Sequence, residues 1–530
     1  MTGAAGLGMG ARRMAVAGCA ALFVAFGGAS IVRADDVPPD LASVASITPA
    51  QIEAAIERLD GIVTEAMARS GTPGVAVAVV RDGKTVFAKG YGVRKAGEDA
   101  RVDADTVFQL ASVSKSISGS VVAHEVGVGH VGWDTPLVAH LPWFELSDPY
   151  VTAHVTVADM FAHRSGLPGQ AGDLLEGLGF DRREILERLR LMPLASFRDT
   201  YAYANFGLTA GAEAVAAASG QEWADLAESA IFAPLGMTST SGRFADFAAH
   251  VDRASLHVLV DGVYRPKFVR QPDAQSPAGG VSSTVNDLAR WMTMLLQDGV
   301  YEGREIVAPE PLRMAMQPQI VSAPAATIAG RPRFYGYGFT QTISSSGRLL
   351  IGHSGAFSVG AGTAFSLIPS ADVGVVVLTN AAPNGTAEAI ARQFEDLVQT
   401  GVVERDWYAL FSGVFTQMLA PGGVLFGAPR PSDPAPSADA AALLGTYDNA
   451  YFGPAEIAGD AGQLTLKIGP AARTFRLTHW DGDTFTFDPD ADDGIVGSVS
   501  SVTFDIDGTR ARTMTIEAYD GNGLGTFERR

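Results

Sequence analysis

Two valine-rich strand pairs, one on each side of a long helical stretch, constrain this chain more than any other feature. TPGVAVAVVRDGKTVFAKGYGVRK, residues 72–95, places β-branched runs on both sides of Asp82-Gly83. An Asp-Gly pair suits a two-residue turn with positive φ, so the segment predicts an antiparallel hairpin. GTAFSLIPSADVGVVVLTN, residues 362–380, predicts a second pair with its turn around Pro369 to Asp372. Between them, from about Ser112 to Gln297, the pattern is mostly helical, broken by Gly- and Pro-rich loops. The expected fold class is therefore α+β: an antiparallel sheet that joins the first and last segments, flanked by helices, with a mainly helical insertion. Upstream, SITPAQIEAAIERLDGIVTEAMARSG repeats apolar residues every three or four positions and predicts one amphipathic helix.

At 530 residues the chain exceeds what one core sustains, so more than one domain is expected. APRPSDPAPS, residues 428–437, carries four prolines and predicts a semi-rigid linker. Beyond it QLTLKI, TFRLT, TFTF and VTFDID alternate apolar and polar residues, which predicts a small antiparallel β domain over 438–530.

The net charge is −19, from 39 basic and 58 acidic residues, with no basic run. Nucleic acid is excluded as a partner, because neutralising phosphates needs a basic face. Residues 1–34 contain Arg12, Arg13 and Arg33 but no acid, around the apolar run MAVAGCAALFVAFGGASIV. This predicts a signal peptide cut after Ala34, hence a periplasmic or secreted protein without stable membrane insertion. An uncleaved anchor and lipidation at Cys19 are the competing readings. Cys19 is the only cysteine, so the mature chain offers no disulfide and no thiolate.

FQLASVSKSIS, residues 108–118, puts Ser112 three residues before Lys115. If a helix starts at or just before Ser112, the two share one face, and the amine can receive the hydroxyl proton. The helix N-terminus would add a field favouring an alkoxide and a neutral lysine. The alternative is a serine that merely caps the helix beside a solvated lysine. Downstream, TYAYANFGL places Tyr203 two residues before Asn205, and LLIGHSGAFSVG supplies His353-Ser354-Gly355.

With S-x-x-K, Y-x-N and H-x-G in this order, the chain resembles the serine β-lactamase and penicillin-binding-protein superfamily over about residues 45–400. The form is similar to class C β-lactamases, D-alanyl-D-alanine carboxypeptidases, D-aminopeptidases and related esterases. HRSGLPG, PLGM, PAGGVSST and LTN support it. The resemblance implies a hydrolase domain over 45–400 and a connecting segment over 401–437. It makes Ser112 the nucleophile, Lys115 its base, and Tyr203 a phenol of lowered pKa that shares the base role and protonates the leaving group. Asn205 would orient Lys115 and bind the substrate's acyl-side amide. His353 and Ser354 would line the substrate site, and the N–H groups of Ser112 and of Ala356, after Gly355, would form an oxyanion hole. His163 in HRSGLPG reads as structural, and Tyr201 lacks the asparagine that marks Tyr203.

Covalent serine chemistry needs no cofactor and no metal, and His124-Glu125 followed by His130 is not a zinc-helix spacing. The C-terminal segment looks like a lipocalin-like barrel, read as a structural lid or a homo-oligomer surface. The expected activity is peptidase or amidase on short peptides, D-residues included. Carboxylester hydrolysis and slow-deacylating penicillin binding are the alternatives. Because histidine stands where β-lactamases carry lysine, weak turnover of β-lactams is expected.

Overall fold

The computed structural model describes residues 46–460, 463–489, 495 and 497–530. The expected signal peptide lies outside these residues. Among the described residues no helix is long and apolar enough to cross a membrane.

The helix expected over 46–71 is two helices. α1, Pro49–Glu57, starts from a Thr48–Gln51 capping box with proline in its first turn, and α2, Leu59–Ser70, ends on Gly71 in the left-handed region. β1 (Gly74–Arg81) and β2 (Lys84–Gly92) form the expected hairpin, with φ +48° at Asp82 and +71° at Gly83. Four further strands, β3 (Ile320–Ala323), β4 (Arg333–Tyr335), β5 (Thr340–Ile343) and β6 (Leu349–Phe357), lead to β7 (Ala361–Ile368) and β8 (Val373–Thr379). The sheet order is β2-β1-β8-β7-β6-β5-β4-β3. β1 pairs antiparallel with β8, Val77 opposite Val377, so the sheet does join the chain's two distant segments.

β1, β7 and β8 are buried along their apolar lengths because both faces of the sheet are covered. On one face lie α1, α2 and a long helix over Thr386–Thr400, packing Ile62, Phe394 and Leu397 against Val75, Val77 and Val375. On the other face lies the helical region. Its main helices are α3 (Ser114–Gly127), α4 (Asn205–Ser219) and α5 (Val285–Leu296), which precede α6 (Thr386–Thr400) and α7 (Trp407–Met418). Trp291 of α5 meets Phe365 of β7 edge to face, ring centroids 4.9 Å apart.

After the proline-rich segment, nine strands form one antiparallel, nearly closed sheet. They are β9 (Gly445–Asp448), β10 (Ala455–Asp460), β11 (Gln463–Ile468), β12 (Arg473–Arg476), β13 (Thr478–Asp481), β14 (Thr484–Phe487), β15 (Ser500–Asp507), β16 (Arg510–Ile516) and β17 (Thr526–Arg529). β11, β12, β14 and β15 cover the runs read as strands. The other five were not singled out, since their apolar alternation is diluted by Gly, Asp and Arg. β9 and β17 pair side by side, so the end of the chain closes onto the start of this sheet.

The barrel grips a loop of the helical region. Tyr451 Oη accepts from Gly172 N at 3.1 Å, Arg188 donates to the carbonyls of Ala450 and Tyr451, and Arg473 donates to Gly177 O at 3.0 Å. One continuous apolar core runs through Leu178, Phe180, Tyr451 and Phe452.

Candidate active site

Ser112 lies in a 3-10 turn, Ala111–Val113, that runs directly into α3. Neither element takes a side-chain cap from Ser112, so its hydroxyl is free of the capping role. Ala111 holds φ +47°, a left-handed value that an alanine adopts only when its surroundings impose it. Part of that constraint comes from β6. A Cβ at Gly355 would stand 2.4 Å from Leu110 O and 2.9 Å from Ser112 N, so only glycine lets the strand backbone lie this close to the serine.

Lys115, in the first turn of α3, is 0% exposed. Its Nζ lies 3.1 Å from Ser112 Oγ and donates to Ala278 O at 2.7 Å. Burial pushes its pKa down to about 7, against the opposing pull of Asp173. Tyr203 completes the group: Lys115 Nζ sits 4.6 Å above its ring, and its hydroxyl is in hydrogen-bond contact with Ser112. Tyr201 packs on the same rings as Tyr203, those of His163 and Tyr335, at 5.8 and 5.5 Å between centroids.

The lowered phenol pKa expected for Tyr203 is not found. Burial raises it, and the hydrogen bond from Ser112 does not offset this. The physical reason is that its neighbouring cation is itself depressed by the same dry surroundings, so little positive charge is available to stabilise a phenolate. Among the two groups, Lys115 is the one whose proton affinity falls near neutrality.

His353 on β6 is buried, its ring 6.4 Å from that of Tyr203. Its Nδ1 faces Ser354 O at 2.6 Å and its Nε2 faces Tyr335 Oη at 2.9 Å. A carbonyl only accepts, so Nδ1 carries the hydrogen and Nε2 accepts from the tyrosine. Burial, followed by Lys115, pushes His353 down to about 3, and the ring is neutral at physiological pH.

Two expected partners point elsewhere. Asn205, at the start of α4, donates from Nδ2 to Asp173 Oδ2 at 2.9 Å. It does not orient Lys115, whose Nζ is held by Ala278 instead. Ser354 follows His353 on a strand, so its side chain points to the opposite face of the sheet. There its hydroxyl is taken by Glu388 of α6. Gly355 and Ala356 lie on β6 opposite Thr363 and Gly362, with Gly355 against the Ser112 turn.

Several side chains of the site were not singled out in the sequence. Tyr335 sits in PRFYGYG, an aromatic run whose link to His353 no spacing reveals. Asp173 and Glu176 sit in AGDLLEG, which reads as an ordinary short helix. Asp173 is pushed up to about 7 by burial, then by Glu176. Glu388, also pushed up to about 7 by burial, lines a cleft of about 340 Å³ with Tyr201, Arg333, His353 and Ser354. His163, read as structural, accepts from Ala204 N at 3.2 Å and thereby fixes the segment between Tyr203 and α4.

Comparison with known proteins bears on the family and the fold. Residues 59–400 match the Beta-lactamase family and residues 429–526 a domain of unknown function, DUF3471. A relative is the unguisins hydrolase ungD of Aspergillus violaceofuscus, 26% identical over 80% of this chain and 81% of its own. Another is the D-alanyl-D-alanine-carboxypeptidase/endopeptidase AmpH of Escherichia coli, 24% identical over 62% of this chain and 85% of its own. Among solved structures, the octameric penicillin-binding protein homologue from Pyrococcus abyssi shares the fold, with a TM-score of 0.56 at 21% identity over 87% of this chain and 98% of that one. A half-buried serine with a buried lysine three residues on, beside a tyrosine, on a sheet and helical region matched over most of their length, places the chain in the beta-lactamase family as a serine hydrolase.

Proposed function

We propose that the chain is a secreted peptidase or amidase that cleaves short peptides, D-residue peptides included, through an acyl-enzyme on Ser112. The observation that carries this reading is Lys115 Nζ at 3.1 Å from Ser112 Oγ in a site dry enough to bring the lysine down to about 7. A neutral amine there has a lone pair for the hydroxyl proton, while one N–H stays on Ala278 O.

In the first half-reaction Ser112 Oγ forms a bond to the substrate carbonyl carbon as its proton passes to Lys115. The developing oxyanion lies against the N–H groups of Ser112 and Ala356. The carbon–nitrogen bond then breaks, and the leaving amine takes the proton from the Lys115 ammonium through the Tyr203 hydroxyl, which remains a phenol throughout. In the second half-reaction water adds to the acyl carbon, gives its proton to the same Lys115–Tyr203 pair, and releases the acid while Ser112 regains its hydrogen. Tyr203 is thus a proton relay rather than the base, as its raised pKa requires. His353, neutral and fully bonded, shapes the site without a permanent charge.

The peptidase reading draws support from relatives whose names describe peptide-bond hydrolysis. A fluorophosphonate label with peptide mapping, run beside aminoacyl anilides, nitrophenyl esters and a chromogenic cephalosporin, tests it. Labelling at Ser112 with anilide turnover is expected. Unchanged hydrolysis in Ser112→Ala, or an adduct on another serine, refutes the mechanism, and turnover of esters alone refutes the substrate class.

A further inference from the structure

Around the Ser112 turn, four acceptor oxygens shielded from solvent have no donor among the described residues: Asp173 Oδ1, Glu176 Oε1, Asn205 Oδ1 and Gln109 Oε1. They form two hydrogen-bonded sets, coupled electrostatically through the carboxyls of Asp173 and Glu176. Asn205 donates to the other oxygen of Asp173 at 2.9 Å, Arg270 and Gln275 both donate to Glu176 Oε2, and Gln109 donates to Arg270 O at 2.9 Å. The Glu176 side chain is 6% exposed and Gln109 4%. Buried polar atoms are almost always partnered, so a set of orphans of one kind needs a reason. All four are acceptors. The group that satisfies several acceptors at once and offers no competing oxygen is an ammonium, with three donors and no acceptor.

Charge points the same way. Arg270 pairs with Glu176, which leaves the carboxyl of Asp173 without a full countercharge. Lys115 feels Asp173 but is held by Ala278 and Ser112. Position adds the orientation. Asn205 is two residues from Tyr203, and Asp173 is within electrostatic reach of Lys115, so these acceptors adjoin the Ser112 group. A cleft of about 610 Å³ bounded by Gly169, Asp173, Met192, Tyr451 and Phe452 leads to Asp173 from outside. The barrel holds the loop in place through Tyr451 on Gly172 and Arg473 on Gly177.

We infer that Asp173, Glu176 and Asn205 form an ammonium subsite, so that the enzyme selects substrates carrying a free amino group on the residue whose carbonyl Ser112 attacks. This rests on the acyl-enzyme reading above and narrows its substrate class to amino-terminal residues with an unblocked amine. The barrel then has a positioning role: it fixes the loop that reads the amine.

Two measurements on the full chain separate this subsite from the chemistry. In the first, alaninamide and N-acetylalaninamide are titrated into Ser112→Ala by calorimetry, which reads recognition without turnover. The free amine of one or both enantiomers is expected to bind at least tenfold more tightly than its acetylated form, and equal binding overturns the subsite. In the second, alanyl and N-acetylalanyl nitroanilides are compared on the parent enzyme, Asp173→Asn and Glu176→Gln. A kcat/KM ratio above about 30 in the parent, falling to within threefold of unity in Asp173→Asn, is expected. The ratio cancels losses common to both substrates, and Glu176→Gln gives a second reading if the first variant folds poorly. A ratio that survives both substitutions overturns the assignment. Selective binding by Ser112→Ala with no turnover by the parent would instead refute the acyl-enzyme reading and leave the ammonium subsite standing.

Discussion

The two flanks of Ser112 are built from similar residue types to opposite effect. On the His353 side, the imidazole has both nitrogens bonded, to Ser354 O and Tyr335 Oη, and burial keeps it neutral. On the Asp173 side, four acidic or amide side chains keep one oxygen each without a donor among the described residues. Both flanks are dry, yet His353 is fully bonded while the carboxyl and amide groups on the other side are not. The difference teaches where a ligand can gain most. A fully bonded group presents shape, while an unbonded acceptor presents an interaction that only an incoming donor completes.

The largest expected effect removes the centre between the flanks. Ser112→Ala and Lys115→Met should each lower anilide hydrolysis by roughly 10⁴-fold or more, since a nucleophile and its base act as one unit. A loss below tenfold for Lys115→Met, measured under saturating substrate, would show that another group takes the serine proton. Next is Gly355→Ala, whose Cβ must push β6 off Leu110 and Ser112. A misplacement of about 1 Å costs on the order of 10²-fold in kcat, and far-UV circular dichroism should stay unchanged while the labelling rate of Ser112 falls.

Smaller changes sharpen the contrast. His353→Lys supplies the charge that the closed flank lacks and should raise the acylation rate by a chromogenic cephalosporin about tenfold, near the worth of one added ionic hydrogen bond. No gain would mean that the β-lactam carboxylate does not approach that side. The pH dependence follows from the two shifted groups. Lys115, brought to about 7, is protonated below neutrality, so kcat/KM should fall about tenfold per pH unit below pH 7.

Stability should move in two directions. Between 3.8 and about 7 the folded protein holds the Asp173 proton that the unfolded chain has lost, so this group's contribution declines as pH rises through that window. Between about 7 and 10.5 the unfolded chain holds a proton that folded Lys115 has released, so the lysine's contribution grows with pH. Urea unfolding of parent and Asp173→Asn at pH 5 and 7 checks the first limb, which the variant should flatten. The smallest effect belongs to Tyr335→Phe. It leaves His353 bonded through Nδ1 and should cost about 1 kcal/mol of stability with only a few-fold change in rate.

The sequence carried the centre of the site better than its flanks. Ser112 and Lys115 are three positions apart on one helical turn, and such spacing is a local property that periodicity exposes. Tyr203 and His353 were readable because each sits in a short motif, but their states were not. The raised pKa of Tyr203 and the depressed one of His353 come from burial against other chain segments, among them those of His163, Lys115 and Tyr335. The partners of Ser354 and Asn205 were not legible for the same reason. A motif names a residue, while strand alternation and the nearest carboxylate, Glu388 or Asp173, decide what that residue bonds. The barrel was legible as strands wherever apolar and polar residues alternate. Its grip on the Gly172–Leu178 loop was not, because the contacts run through backbone groups that every sequence possesses.

By itself, the sequence determined the antiparallel sheet that joins the chain's two distant segments, the Asp82-Gly83 hairpin and the serine–lysine pair, since period-two alternation, turn chemistry and helical spacing act over a few residues. Only the tertiary structure decided which of the gathered groups are charged, which face of β6 meets Ser112, and that acceptors of Gln109, Asp173, Glu176 and Asn205 are buried without a donor among the described residues. Those properties depend on solvent exclusion and on contacts between distant segments, and solvent exclusion exists only once the chain has packed.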